Sequence, residues 1–119
     1  MESLIIEGKP DTPSVQFLPE GFASIGGRSL PENANEFYNP LVEWVRNYAQ
    51  ETGKELRFEV RFNYFNTASS KMILEIFEVL PKGSVIEWYY PQDDEDMQDA
   101  GEGFEALLNE GVSLKLIEI

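Results

Sequence analysis

Hydrophobic and polar positions change their period at one point in this chain. From residue 56 to residue 64, Leu56, Phe58, Val60, Phe62 and Tyr64 alternate with Arg57, Glu59, Arg61 and Asn63, the period-two pattern of a strand with one buried face. Beyond Asn66 the period lengthens. Ala68, Met72, Ile73, Ile76, Phe77 and Leu80 recur at three- and four-residue intervals, with Lys71, Glu75 and Glu78 opposite them, which predicts an amphipathic helix burying one stripe. Thr67 therefore falls at, or within a residue of, a helix N-terminus.

The same reading predicts the rest of the chain. Leu4 to Ile6, Val15 to Leu18 and Phe22 to Ile25 are short strands punctuated by Pro10, Pro13, Pro19 and Gly21, as in an N-terminal meander at a sheet edge. Gly26-Gly27 and Pro31 are read as turning the chain. A first helix runs through Phe37, Leu41, Trp44, Val45 and Tyr48, with Asn39-Pro40 as its cap and first helical residue and Gly53 as its stop. After the strand ending at Phe65 and the helix behind Thr67 come a strand from Val85 to Tyr90, a helix through Met97, Ala100, Phe104, Leu107 and Leu108, and a strand from Val112 to Ile119. Three strand–helix–strand passages imply right-handed crossovers and a mostly parallel sheet with an antiparallel edge. The expected fold is α/β, a mixed sheet with about three helices packed on it. At 119 residues the chain can bury one core but not two, so residues 1–119 are expected to form one domain.

Composition removes whole classes of chemistry. There is no cysteine, hence no disulfide framework and no thiol nucleophile, and no histidine, the commonest general base and metal ligand. With 22 acidic against 9 basic residues the formal net charge is −13, which opposes nucleic-acid backbones and anionic membranes and favours a basic patch on a protein partner. The start of the chain, Met1-Glu2-Ser3-Leu4-Ile5-Ile6-Glu7, lacks the basic flank and long apolar core of a signal peptide, so a cytoplasmic protein is expected. The acidic run Asp93-Asp94-Glu95-Asp96 lacks the glycine and terminal glutamate of a calcium loop and reads as the first turn of a helix, while Gly26-Gly27-Arg28-Ser29 lacks the ending of a phosphate-binding P-loop. No metal or cofactor is expected.

A hydroxyl at the start of a helix has two uses. Unpaired backbone N–H groups and a partial positive charge there would favour a phosphoryl group by about 0.3–1 kcal/mol at an exposed site. Alternatively, Asn66 or Thr67 is an ordinary N-cap. Three blocks bear on the choice: Pro31-Glu32-Asn33 with Glu36-Phe37-Tyr38-Asn39-Pro40-Leu41; Tyr64-Phe65-Asn66-Thr67-Ala68-Ser69-Ser70-Lys71; and Trp88-Tyr89-Tyr90 with Asp93-Asp94-Glu95-Asp96-Met97 and Gly101-Glu102. In this order and spacing they resemble the SiaC-type regulatory phosphoproteins, bacterial proteins with a STAS-like fold related to anti-sigma-factor antagonists.

The resemblance implies a single-domain STAS-like sandwich with Thr67 as phosphoacceptor and Ser69 or Ser70 as lesser candidates. Where the family pattern has a further Ser directly after the Thr, this chain has Ala68. It also implies a cognate serine/threonine kinase, a PP2C-type phosphatase and a diguanylate cyclase that the unphosphorylated form activates. The partner surface is expected around Asn66, Thr67 and Lys71, the strand end Tyr89-Tyr90, and Asp94 and Glu95. The other function class is a small carboxylate-dependent enzyme or ligand-binding α/β domain. It would need a pair of carboxylates with one pKa raised by burial, and no isolated carboxylate in an apolar run points to one.

Overall fold

The computed structural model describes residues 1–119. Strands β1 (Leu4–Ile6), β2 (Ser14–Leu18) and β3 (Phe22–Ser29) lead into helix α1 (Ala34–Thr52). Then follow β4 (Arg57–Phe65), α2 (Thr67–Glu78), β5 (Val85–Tyr90), α3 (Glu95–Glu105) and β6 (Ser113–Glu118). The six strands form one sheet in the order of the sequence, antiparallel from β1 to β3 and parallel from β3 to β6. The expected α/β class, mixed sheet, antiparallel edge and three helices are all present.

Stepping one strand at a time in one direction through right-handed crossovers places all three helices on the same face. Ring contacts between Phe17 and Trp44, Phe58 and Phe77, Phe77 and Phe104, and Trp88 and Phe104 close that layer. The opposite face of the sheet carries no helix. There, alternate positions of β4 and β5 place Arg57 between Glu59 and Glu87 at 3.2 and 2.9 Å, and Arg61 over the Tyr89 ring at 3.6 Å.

Four local expectations are corrected. The first helix starts not at Asn39-Pro40 but six residues earlier in the chain, where the Asn33 side chain accepts a hydrogen bond from the Glu36 N–H at 3.1 Å and so caps α1. Pro40 lies inside the helix on its exposed side. Its lost hydrogen bond is outweighed by the packing of Tyr38, Leu41, Val42 and Val45, all buried on the same helix. Gly26 and Gly27 do not turn the chain; they are part of β3. A β-carbon on Gly26 would lie 2.8 Å from the Arg61 carbonyl oxygen, and Gly27, at φ 106°, sits where the register between β3 and β4 slips by a residue.

That bulge is the reason for the third correction. Gly27 pairs with Phe62 and Arg28 with Tyr64, so Asn63 is skipped and the alternation inverts. Phe62 remains buried, Tyr64 turns out to 45% exposure under the Arg28 guanidinium, and Phe65 takes the inward position against Phe62, Trp88 and Phe104. At the other end of the molecule, α3 stops at Glu105, leaving Leu107 exposed rather than in the helix stripe.

Candidate functional site

The carboxyl ends of β3 and β4 and the starts of α1 and α2 meet at one end of the sheet. Ser29 pairs with Phe65, the last residues of their strands, and the Asn66 N–H donates to the Ser29 carbonyl at 3.2 Å. The chain then enters α2. Asn66 is the N-cap: its Oδ1 accepts from the Ser69 N–H at 2.9 Å and its carbonyl from the Ser70 N–H at 3.0 Å. The question left open by the sequence, which residue caps, is thus answered in favour of Asn66. Thr67 is the first helical residue, exposed, and its N–H and that of Ala68 have no partner within the protein. The hydroxyl therefore lies free at the positive end of a twelve-residue helix.

The two alternative hydroxyls differ sharply from it. Ser69 is fully buried, its Oγ 2.8 Å from Ser29 Oγ and donating to the Ser29 carbonyl at 3.2 Å. Ser70 is half-buried and donates to the Thr67 carbonyl at 3.0 Å. Beside Ser69, the Tyr38 hydroxyl lies 2.6 Å from Ser29 Oγ, and burial pushes this phenol up to about 12 although its bonds to Ser29 and Ser69 pull the other way.

Two shallow grooves lie at this end of the molecule. One, of about 370 Å³, runs between Glu32, the cap Asn33 and Asn35 at the start of α1 and Ala68, Lys71 and Glu75 on α2. The other, of about 360 Å³, runs between Asn63, Tyr64 and Phe65 of β4 and Asp94, Asp96 and Met97 at the start of α3. Asn66 caps the helix that Thr67 begins, Lys71 lines the first groove and Asp94 the second, and Glu95 is exposed on the first turn of α3. Asp94 has a structural task as well, capping α3 by accepting from the Met97 N–H at 3.0 Å. The Tyr89-Tyr90 pair is split. Tyr90 is buried at 8% exposure and presents no ring, while Tyr89 lies half-buried on the helix-free face under Arg61.

The sequence reading did not anticipate that Glu32 to Asn35 would line a groove with α2, nor that Arg28 would stack on Tyr64 at 5.2 Å, three residues before Thr67. The first had a signal in Asn33-Ala34-Asn35-Glu36, which has a capping residue and a glutamate at capping-box spacing.

A family model described as SiaC family regulatory phosphoprotein matches residues 6–119. The chain belongs to this family. Its fold superposes on apo-SiaC of Pseudomonas aeruginosa with a TM-score of 0.83 at 25% identity, covering 97% of this chain and 99% of that one. A chain in the crystal structure of the diguanylate cyclase SiaD in complex with its activator SiaC, from the same organism, matches with a TM-score of 0.84 at 24% identity, over 95% of this chain and 98% of that one. An uncharacterised protein of Pseudomonas aeruginosa strain UCBPP-PA14 is 28% identical over 111 residues, 87% of this chain and 88% of its own length. Thr67 at the head of α2 is thus part of a SiaC-family regulatory phosphoprotein. No helix in it is long and apolar enough to cross a membrane.

Proposed function

We propose that this SiaC-family protein is a non-catalytic cytoplasmic binding module whose partner is a diguanylate cyclase, activated by the form in which Thr67 carries no phosphate. A serine/threonine kinase adds the phosphate and a PP2C-type phosphatase removes it. The observation that carries this reading is the state of Thr67: exposed, first in α2, followed by a free N–H at Ala68, in a chain of a regulatory phosphoprotein family. The phosphoryl group would add about −1.5 to −2 charge and be held by the free N–H groups and the helix dipole. Lys71, one turn along, is the basic residue of the adjoining groove, and no arginine lines it, so nothing there would refold around the phosphate. The switch is local. A surface complementary to a neutral threonine becomes bulky and anionic, and pairing it with a partner then costs desolvation and repulsion.

The test is direct. Tandem mass spectrometry after treatment with the kinase should place the phosphate on Thr67. Thr67→Ala should bind the cyclase and ignore the kinase; Thr67→Glu should lose affinity while melting within about 2 °C of the wild type, as expected for a surface change at a helix N-terminus. Tighter binding by the phosphorylated form would reverse the sign of the switch and overturn the mechanism.

A further inference from the structure

Only three serines are buried completely, Ser29, Ser69 and Ser84, and two of them meet at the first turn of α2, Ser69 within it and Ser29 against it. Together with the Tyr38 hydroxyl they join three elements, β3, α1 and α2, at a point two residues from Thr67. Every buried side-chain polar atom in this cluster has at least one hydrogen-bond partner. The Ser69 proton goes to the Ser29 carbonyl, which leaves Ser29 as the donor to Ser69 and the Tyr38 phenol as the donor to Ser29 Oγ, 2.6 Å away. The chain of donors runs one way and ends on the carbonyl that also holds the N–H of the cap residue Asn66.

We propose that this Tyr38–Ser29–Ser69 hydroxyl chain positions the phosphoacceptor and selects it. It rests on the reading of Thr67 as the acceptor. Ser69 is held at both its backbone N–H, by Asn66, and its side chain, by Ser29, which fixes the rotation of the first helical turn. Two residues correspond to about 200° around a helix, so clamping Ser69 inward turns Thr67 outward. The same clamp hides a competing hydroxyl in the core and leaves Thr67 as the exposed acceptor of the turn, next to a half-buried Ser70.

Two variants and a control test this in the full chain. Tyr38→Phe cuts the tie to α1 without orphaning a donor, because Ser29 can still donate to Ser69 and Ser69 to the carbonyl. Ser69→Ala removes the clamp itself. Ser84→Ala is the control: it deletes a buried serine hydroxyl at the opposite end of the sheet, where Ser84 Oγ accepts from the Leu56 N–H at 2.9 Å. Amide hydrogen exchange at Ser69 and Ser70 should rise by about tenfold in Ser69→Ala and by severalfold in Tyr38→Phe, as the local opening of that turn becomes easier, and should not rise in Ser84→Ala. With the kinase, Tyr38→Phe should spread phosphate from Thr67 onto Ser70 and lower kcat more than it raises KM, since a displaced acceptor loses alignment before it loses binding. Wild-type exchange and wild-type site selectivity in Tyr38→Phe and Ser69→Ala, or an equal change in Ser84→Ala, would overturn the proposal. Absence of phosphate on Thr67 in the wild type would instead overturn the functional reading, with the exchange measurements still deciding whether the hydroxyl chain holds the turn.

Discussion

Two glycines in α3, two residues apart, should respond oppositely to the same substitution. Gly101 faces the sheet. A β-carbon there would lie 2.6 Å from Leu116 Cδ2, 2.6 Å from Trp88 Cδ1 and 2.8 Å from Trp88 Nε1. Leu116 can rotate away, but Trp88 cannot: its indole is fully buried and its N–H donates to the Met97 carbonyl at 2.9 Å. Gly103 meets nothing within 4 Å and is exposed. Alanine stabilises a helix interior by about 1 kcal/mol relative to glycine, and Gly103→Ala should show that gain undiluted.

Gly101→Ala has the same helical gain set against overpacking of about 1–3 kcal/mol. Loosening a buried indole N–H adds a further 1 kcal/mol or so. The expected net loss is about 2 kcal/mol, and the two variants should differ by about 3 kcal/mol, a difference from which helix propensity cancels. In a chain of this size that corresponds to a rise of about 4 °C in Tm for Gly103→Ala and a fall of about 8 °C for Gly101→Ala. Thermal melts followed by circular dichroism, with urea titrations to confirm an unchanged slope, measure both. Equal stabilisation of the two variants would refute the close approach of α3 to Trp88 and Leu116, and with it the seating of that helix on β5 and β6.

Two further outcomes are expected. Asp94→Asn with Glu95→Lys should slow association with the cyclase and flatten its salt dependence while preserving the α3 cap, because Asn caps as well as Asp; salt-dependent association rates equal to wild type would remove the acidic turn from the interface. Tyr38 sets a pH dependence whose sign is determined by its raised value of about 12. The folded chain keeps a proton that the unfolded chain releases near pH ~10, so this stabilisation is complete below that pH and is lost as pH rises toward ~12. At pH ~11 the loss is about 1 kcal/mol, and the stability gap between wild type and Tyr38→Phe in urea should narrow by that amount relative to pH ~8; a constant gap would contradict it.

What the sequence determined by itself was periodic or local. The alternation through Leu56, Phe58, Val60 and Phe62 and the stripe of Met72, Ile73, Ile76 and Phe77 each describe one element burying one face, and every such residue is buried. Three strand–helix–strand passages were enough for a parallel sheet, because crossover handedness leaves few alternatives. The family blocks, including Asn66-Thr67, were likewise legible as they stand. Tertiary structure decided whatever depends on contact between distant residues. The slip between Gly27 and Asn63 inverted the faces of Tyr64 and Phe65, which no pattern within β4 could reveal, since period-two counting assumes an unbroken ladder. The cap at Asn33 displaced the one at Asn39 because burial of Tyr38 and Leu41 rewards a helix that continues through Pro40. The three serine and threonine hydroxyls around the helix start, ranked in the sequence by the family resemblance alone, were separated physically by a buried partner forty residues from Ser69: Ser29 draws Ser69 inward, and Thr67 is left in solvent.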